Sequence, residues 1–184
     1  PVNVPESFAI SADAADSDVT IAKVDFYQGA TLLGTDLTAP YSVVGTSVAA
    51  GTYALTAVAT DSGGATTTSP AISVTVNQPP TISIVTPANN ATFNAPASIA
   101  ISADAADSDG TIAKVDFYQG ATLLGTDLTA PYSFVWTSVA AGTYALTAVA
   151  TDSGGATNTS PAISVTVNQP PTISIVTPAN NATF

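Results

Sequence analysis

Three aspartates, Asp104, Asp107 and Asp109, fall within six residues, and Asp13, Asp16 and Asp18 repeat the pattern 91 residues earlier. A TDSGG turn later in each half adds Asp152 and Asp61. Carboxylates about 4 Å apart repel by roughly 1 to 4 kcal/mol, depending on the local dielectric, and a hard divalent cation relieves that repulsion. A donor set made only of oxygen favours calcium over zinc or copper. The spacing is not that of an EF-hand: counting from Asp107, glycine stands fourth instead of sixth, and no glutamate follows at the twelfth place. A site of this kind at the junction between domains is expected to bind calcium on the order of 0.1 to 1 mM, which extracellular calcium can fill, and to stiffen the joint. The same residues also fit a second account, because DSDG and DSGG are ordinary turn sequences whose aspartates bond their own backbone.

Other chemistries find little to work with. The chain has no histidine, cysteine or arginine, which removes thiol nucleophiles and cysteine-bound zinc. General acid-base catalysis would need a carboxylate pair in a groove, so no enzyme is expected. Thirteen acidic residues against two lysines, Lys23 and Lys114, give a net charge of -11. Nucleic acid and anionic membranes need Lys and Arg to displace counterions, so neither is an expected partner. No apolar run approaches the roughly 18 to 20 residues that cross a bilayer as a helix. Tyr27, Tyr118, Tyr41 and Tyr132 could stack on a carbohydrate if they lined one exposed face, although alternating strand aromatics usually pack inward. Asn90, Asn158 and Asn181 open permitted glycosylation sequons.

The elements that must position these residues are set by a repeat. At an offset of 91 residues, Pro5–Phe93 aligns with Pro96–Phe184, and 83 of the 89 positions are identical. The six differences are Glu6/Ala97, Phe8/Ile99, Val19/Gly110, Val43/Phe134, Gly45/Trp136 and Thr67/Asn158. A period of 91 is far too long for a solenoid unit and close to one immunoglobulin-type sandwich of about 100 residues. Val and Thr favour strands, and turn signals predict seven strands in the complete copy: 81–86, 98–104, 112–118, 121–127, 132–138, 143–151 and 162–167. The expected fold is all-β, a tandem of immunoglobulin-like β-sandwiches of about seven strands each. In the sixth strand Tyr144, Leu146, Ala148 and Ala150 share one face, assigned inward. Tyr144 and its counterpart Tyr53 stand where the hydroxyl of a tyrosine corner would bond back to the main chain. Loss of the Phe134 and Trp136 rings from the first copy implies that Trp136 is partly exposed or that the first copy is weaker.

The run KVDFYQGATLLGTDLTAPYSFVWTSVAAGTYALTAVATDSGGATNTS, from Lys114 to Ser160, resembles the bacterial immunoglobulin-like repeat of surface proteins, adhesins and the non-catalytic parts of secreted polysaccharide-degrading enzymes. That resemblance implies a module without chemistry of its own, outside the cell or on its surface. Residues 1–76 form the first repeat, lacking its own first strand, and 81–167 the complete second. The NQPP segments, 77–80 and 168–171, read as stiff spacers, since two prolines fix φ and remove two donors. Sandwich topology brings Asp152 or Asp61 to the same end as its aspartate cluster, and residues 77–80 should enter there. Residues 172–184 read as the first strand of a following repeat or as a donor strand. The expected partners are neighbouring repeats, or identical subunits joined head to tail through 172–184 into an open filament. The expected role is a stalk, spacer or filament subunit, with an accessory carbohydrate-binding or adhesion module as the alternative. No signal peptide opens the sequence, and the ends fall inside a repeat, which suggests a fragment of something longer.

Overall fold

A computed structural model describes residues 2–3, 7–46 and 48–177. Among them every regular element is a β-strand. The first repeat holds β1 (Val2–Asn3), β2 (Phe8–Ala12), β3 (Ile21–Gln28), β4 (Thr31–Asp36), β5 (Tyr41–Gly45), β6 (Gly51–Asp61), β7 (Thr66–Thr68) and β8 (Ile72–Asn77). The second holds β9 (Thr81–Thr86), β10 (Ala91–Asn94), β11 (Ala97–Ala106), β12 (Ile112–Gln119), β13 (Thr122–Asp127), β14 (Tyr132–Val139), β15 (Gly142–Asp152), β16 (Thr157–Thr159) and β17 (Ile163–Asn168). The chain divides into two compact units, 1–80 with 106–112 and 151–157, and 81–105 with 113–150 and 158–184. The loops carrying Asp107, Asp109 and Asp152 thus belong to the same unit as the linker residues 77–80.

All seven strands expected in the second repeat are present, with two short additions. Pro87 interrupts the opening strand, and the chain resumes as β10 in the other sheet. β10 runs parallel to β17, with Ala91 opposite Val165 and Asn94 opposite Asn168. β16 pairs with β15, and its exposed Thr-Asn-Thr carries no apolar alternation that a sequence pattern could register. One sheet is β10-β17-β15-β12-β13 with β16 at the side of β15, and the facing one is β14-β11-β9. In the first repeat the corresponding sheets are β1-β8-β6-β3-β4 with β7 on β6, and β2-β5 alone.

Period-two burial builds the core. Leu146, Ala148 and Ala150 of β15 are fully buried, with Tyr144 half-buried on the same face. Ile99 and Ile101 of β11 and Val115 and Phe117 of β12 are buried as well. Phe117 stacks on Phe134 of the opposite sheet, ring centroids 6.4 Å apart. Burial of one such phenylalanine contributes about 1.5 to 3 kcal/mol.

Two of the six differences between the repeats are coupled across one pair of strands. Ile99 lies opposite Trp136 on β11 and β14, whereas Phe8 lies opposite Gly45 on β2 and β5. The aromatic ring has crossed the ladder: the Phe8 ring reaches within 3.6 Å of where a Gly45 side chain would begin. Trp136 is half-exposed and meets Tyr144 edge-on at 5.0 Å. At this cross-strand pair each repeat therefore carries one aromatic ring. Phe134 occupies the space above Gly125, where an added Cβ would sit 2.3 Å from its ring, and the smaller Val43 lies over Gly34 at 2.9 Å. Nothing in the structure explains Thr67/Asn158.

Candidate functional site

β11 extends through Asp104 to Ala106, and the following turn carries Asp107 and Asp109. The Asp107 carboxylate folds back to accept the Asp109 N–H at 3.2 Å, an Asx turn. Its other oxygen, Oδ2, is buried without a hydrogen-bond partner. The absent side chain of Gly110 makes this packing feasible, since a Cβ there would stand 2.7 Å from that oxygen. Val19 replaces Gly110 in the first repeat, where Asp16 accepts the Asp18 N–H at 3.1 Å. Hydrogen bonding from the Asp18 backbone holds the Asp16 carboxyl below the usual range.

The linker enters at this end. Gln78 donates its backbone N–H to Asp109 Oδ2 at 3.0 Å. Asn77, almost fully buried, donates its side-chain amide to Asp152 Oδ2 at 2.8 Å. The second oxygen of Asp152 accepts the Ala156 N–H at 2.9 Å, and its residue is 2% exposed. Gly154 lets the Asn77 amide lie flat on the loop, because a Cβ there would meet it at 2.8 Å. Asp61 accepts the equivalent Ala65 N–H at 2.9 Å, yet remains half-exposed.

Asp104, Asp13, Asp16 and Asp18 are exposed. Among the described residues, no three acidic side chains gather where a metal ion could be held. Amide donors cap Asp107 Oδ1, Asp109 Oδ2 and both oxygens of Asp152, whereas Asp107 Oδ2 has no such partner. Tyr41 and Tyr132 are buried and Tyr27 and Tyr118 half-buried, so the four do not form one exposed aromatic row. Asn90 and Asn158 are exposed, while Asn181 and residues 178–184 of the last segment lie outside the described residues.

One polar cluster was missed from the sequence. Lys114 Nζ contacts Asp116 Oδ2 at 2.6 Å, and the Thr126 hydroxyl donates to Asp116 Oδ1. Lys23, Asp25 and Thr35 repeat it in the first sandwich. Burial pushes the Asp116 carboxyl up, but the Lys114 ammonium and the Thr126 hydroxyl outweigh it and hold the carboxyl below its usual range. The Lys23 ammonium, with Thr35, likewise lowers Asp25. The available signal was spacing: each of the two lysines stands two places before an aspartate, on the same strand face. Asp36 and Asp127 are also engaged, accepting the Ser42 and Ser133 N–H groups at 2.8 Å.

The chain matches the family model of the bacterial Ig domain over residues 1–57 and 80–148. Among solved structures it is similar to the fibronectin(III)-like modules of Clostridium thermocellum CbhA, with 33% identity, 91% of this chain and 88% of that one covered, and a TM-score of 0.53. The FN1–FN3 domains of chicken CNTN1 are 11% identical over 90% of this chain and 61% of theirs, with a TM-score of 0.41. The amphioxus IgVJ-C2 molecule is 14% identical over 90% of this chain and all of its own, with a TM-score of 0.40. No curated protein matches the chain.

Proposed function

We propose, from the premise that this chain belongs to the bacterial Ig domain family, that it is a non-catalytic, tension-carrying spacer of a secreted or cell-surface protein. The observation that carries the proposal is the parallel pairing of β10 with β17. Force applied through the two ends of a repeat pulls these neighbouring strands in opposite directions. Their bonds are then loaded together in shear, not opened one at a time. Val2–Asn3 keeps the same parallel register against Val76–Asn77 in the first repeat. The partly buried Lys114–Asp116–Thr126 cluster and the engaged Asp127 add support, since these carboxylates are held by hydrogen bonds within the fold.

Stretching single molecules between two handles tests this. Each opening event should release roughly 300 Å of contour, the extended length of one 91-residue repeat. Replacing Thr92 by proline removes a ladder donor in β10 and should lower the opening force of the second repeat alone. Opening at the force of thermal noise, or an unchanged force in that variant, would sink the proposal.

Calcium enters this account through the unpartnered Asp107 Oδ2. A calorimetric titration should show saturable heat in the millimolar range that Asp107→Asn removes. A flat titration with the native chain would discard the cation.

A further inference from the structure

Seven of the eight residues that line one cleft of the first repeat recur unchanged 91 places later, and the eighth is Gly45, where the second repeat has Trp136. The cleft measures about 380 Å³ and lies between β4 and β5, bordered by Gln28 at the end of β3 and Tyr53 near the start of β6. Leu33, Val44 and Val48 supply most of its apolar wall, and no charged side chain lines it. All of the lining falls between residues 28 and 53, well inside the repeat.

The second repeat shows what the same walls enclose. There the Trp136 indole meets the Tyr144 ring edge-on, with centroids 5.0 Å apart. Val139 is buried beside it in sequence, whereas its counterpart Val48 is only half-buried. Leu124 is half-buried, whereas Leu33 is 38% exposed. The tyrosine wall is fixed alike in both repeats, because Tyr53 donates its hydroxyl to the Ala49 carbonyl at 2.9 Å and Tyr144 donates to Ala140 at 3.0 Å. The Phe8 ring comes within 3.6 Å of the place where a Gly45 side chain would begin, yet it is not part of the cleft wall. It covers the glycine from β2 and leaves the space against Tyr53 clear.

We propose that this cleft is a binding site for an uncharged, bicyclic aromatic molecule, which takes in the first repeat the place that the Trp136 side chain takes in the second. Concave sites of about 300 to 1,000 Å³, with apolar walls and a few polar groups, are the kind that small ligands use. An apolar cavity of about 150 Å³ already binds benzene, so 380 Å³ admits two fused rings. Edge-on contact with Tyr53 adds to the burial of the ligand, and Gln28 brings one amide that can donate or accept a hydrogen bond. A net charge of -11 and a wall without lysine disfavour aromatic carboxylates.

Indole itself is the probe, titrated into the isotope-labelled chain and followed by the amide resonances. Those of Gly45, Val48 and Tyr53 should shift saturably, with half-saturation at about 1 mM or below, while those of Trp136, Val139 and Tyr144 stay in place. The double variant Phe8→Ile, Gly45→Trp gives the first repeat the pair of the second and should lose all of these shifts. The reverse pair, Ile99→Phe with Trp136→Gly, clears the second repeat and should raise the indole stoichiometry from one to two. A native chain without saturable shifts, equal shifts in both repeats, or shifts that survive in the filled variant overturn the proposal. Should the filled variant not fold, the reverse pair decides, and a stoichiometry that stays at one overturns it as well.

Discussion

Removing the Asp152 carboxylate gives the most direct measure of what holds the linker to the loop. Asp152→Ala leaves two buried donors, the Asn77 amide and the Ala156 N–H, without their acceptor. An unsatisfied buried group costs about 1 to 3 kcal/mol, so the loss of both partners should destabilise the second repeat by about 2 to 6 kcal/mol. Asp61→Ala is the internal control, since Asp61 holds the matching Ala65 N–H in a half-exposed loop and, among the described residues, has no asparagine on its other oxygen. Its cost should be nearer 1 kcal/mol. A double-mutant cycle of Asn77→Ala with Asp152→Ala, read by urea unfolding and circular dichroism, isolates the pair. A hydrogen bond to a charged group predicts a coupling of about 1.5 to 3 kcal/mol. A coupling below roughly 0.5 kcal/mol, the usual error of additivity, would mean that the 2.8 Å contact does no energetic work, and the account of the linker would be wrong.

Three further outcomes follow from the packing and the charges. Gly125→Ala should cost about 1 to 3 kcal/mol, because the new methyl must displace the Phe134 ring, and the double variant with Phe134→Val should recover part of it; equal losses in the single and double variants would contradict the overlap. Tyr144→Phe deletes the 3.0 Å bond to the Ala140 carbonyl and should lower stability by about 0.5 to 1.5 kcal/mol, whereas an unchanged melting temperature would remove the corner's role. Asp16, Asp25, Asp36, Asp116 and Asp127 all have lowered carboxyl pKa values, so the unfolded chain binds more protons in acid, and their contribution, complete above pH about 4, should fade as pH drops below it. Lys23 and Lys114 are raised by Asp25 and Asp116, so their share is complete below pH about 10 and should fade above it. Melting scans across pH check both edges, and stability that increased on acidification would refute the assignment.

Much of this molecule is legible in its residues because alternation and turn chemistry act locally. Tyr144 and Tyr53 bond to Ala140 and Ala49 as a tyrosine at the head of that strand should. The aspartate turn and the TDSGG loop do share an end with residues 77 and 78. What escaped depends on neighbours distant in sequence. β10 is four residues long, and only its partner β17 makes it a strand. Asp61 and Asp152 sit in the same local sequence, yet only the latter is buried, because Asn77 reaches it. The exchange of Phe8 and Gly45 for Ile99 and Trp136 is visible as two substitutions, but their compensation requires the ladder register.

Trp136 is the single indole of the chain, and no counterpart stands at Gly45. Its emission will therefore report on one of two nearly identical sandwiches, with the edge-on Tyr144 ring as its closest sensor of local order. Fluorescence and circular dichroism followed on one sample weigh the repeats differently, the first seeing only the second repeat and the other seeing both. The native molecule thus carries a built-in optical label with which the order of melting in a duplicated fold can be assigned without any engineered dye.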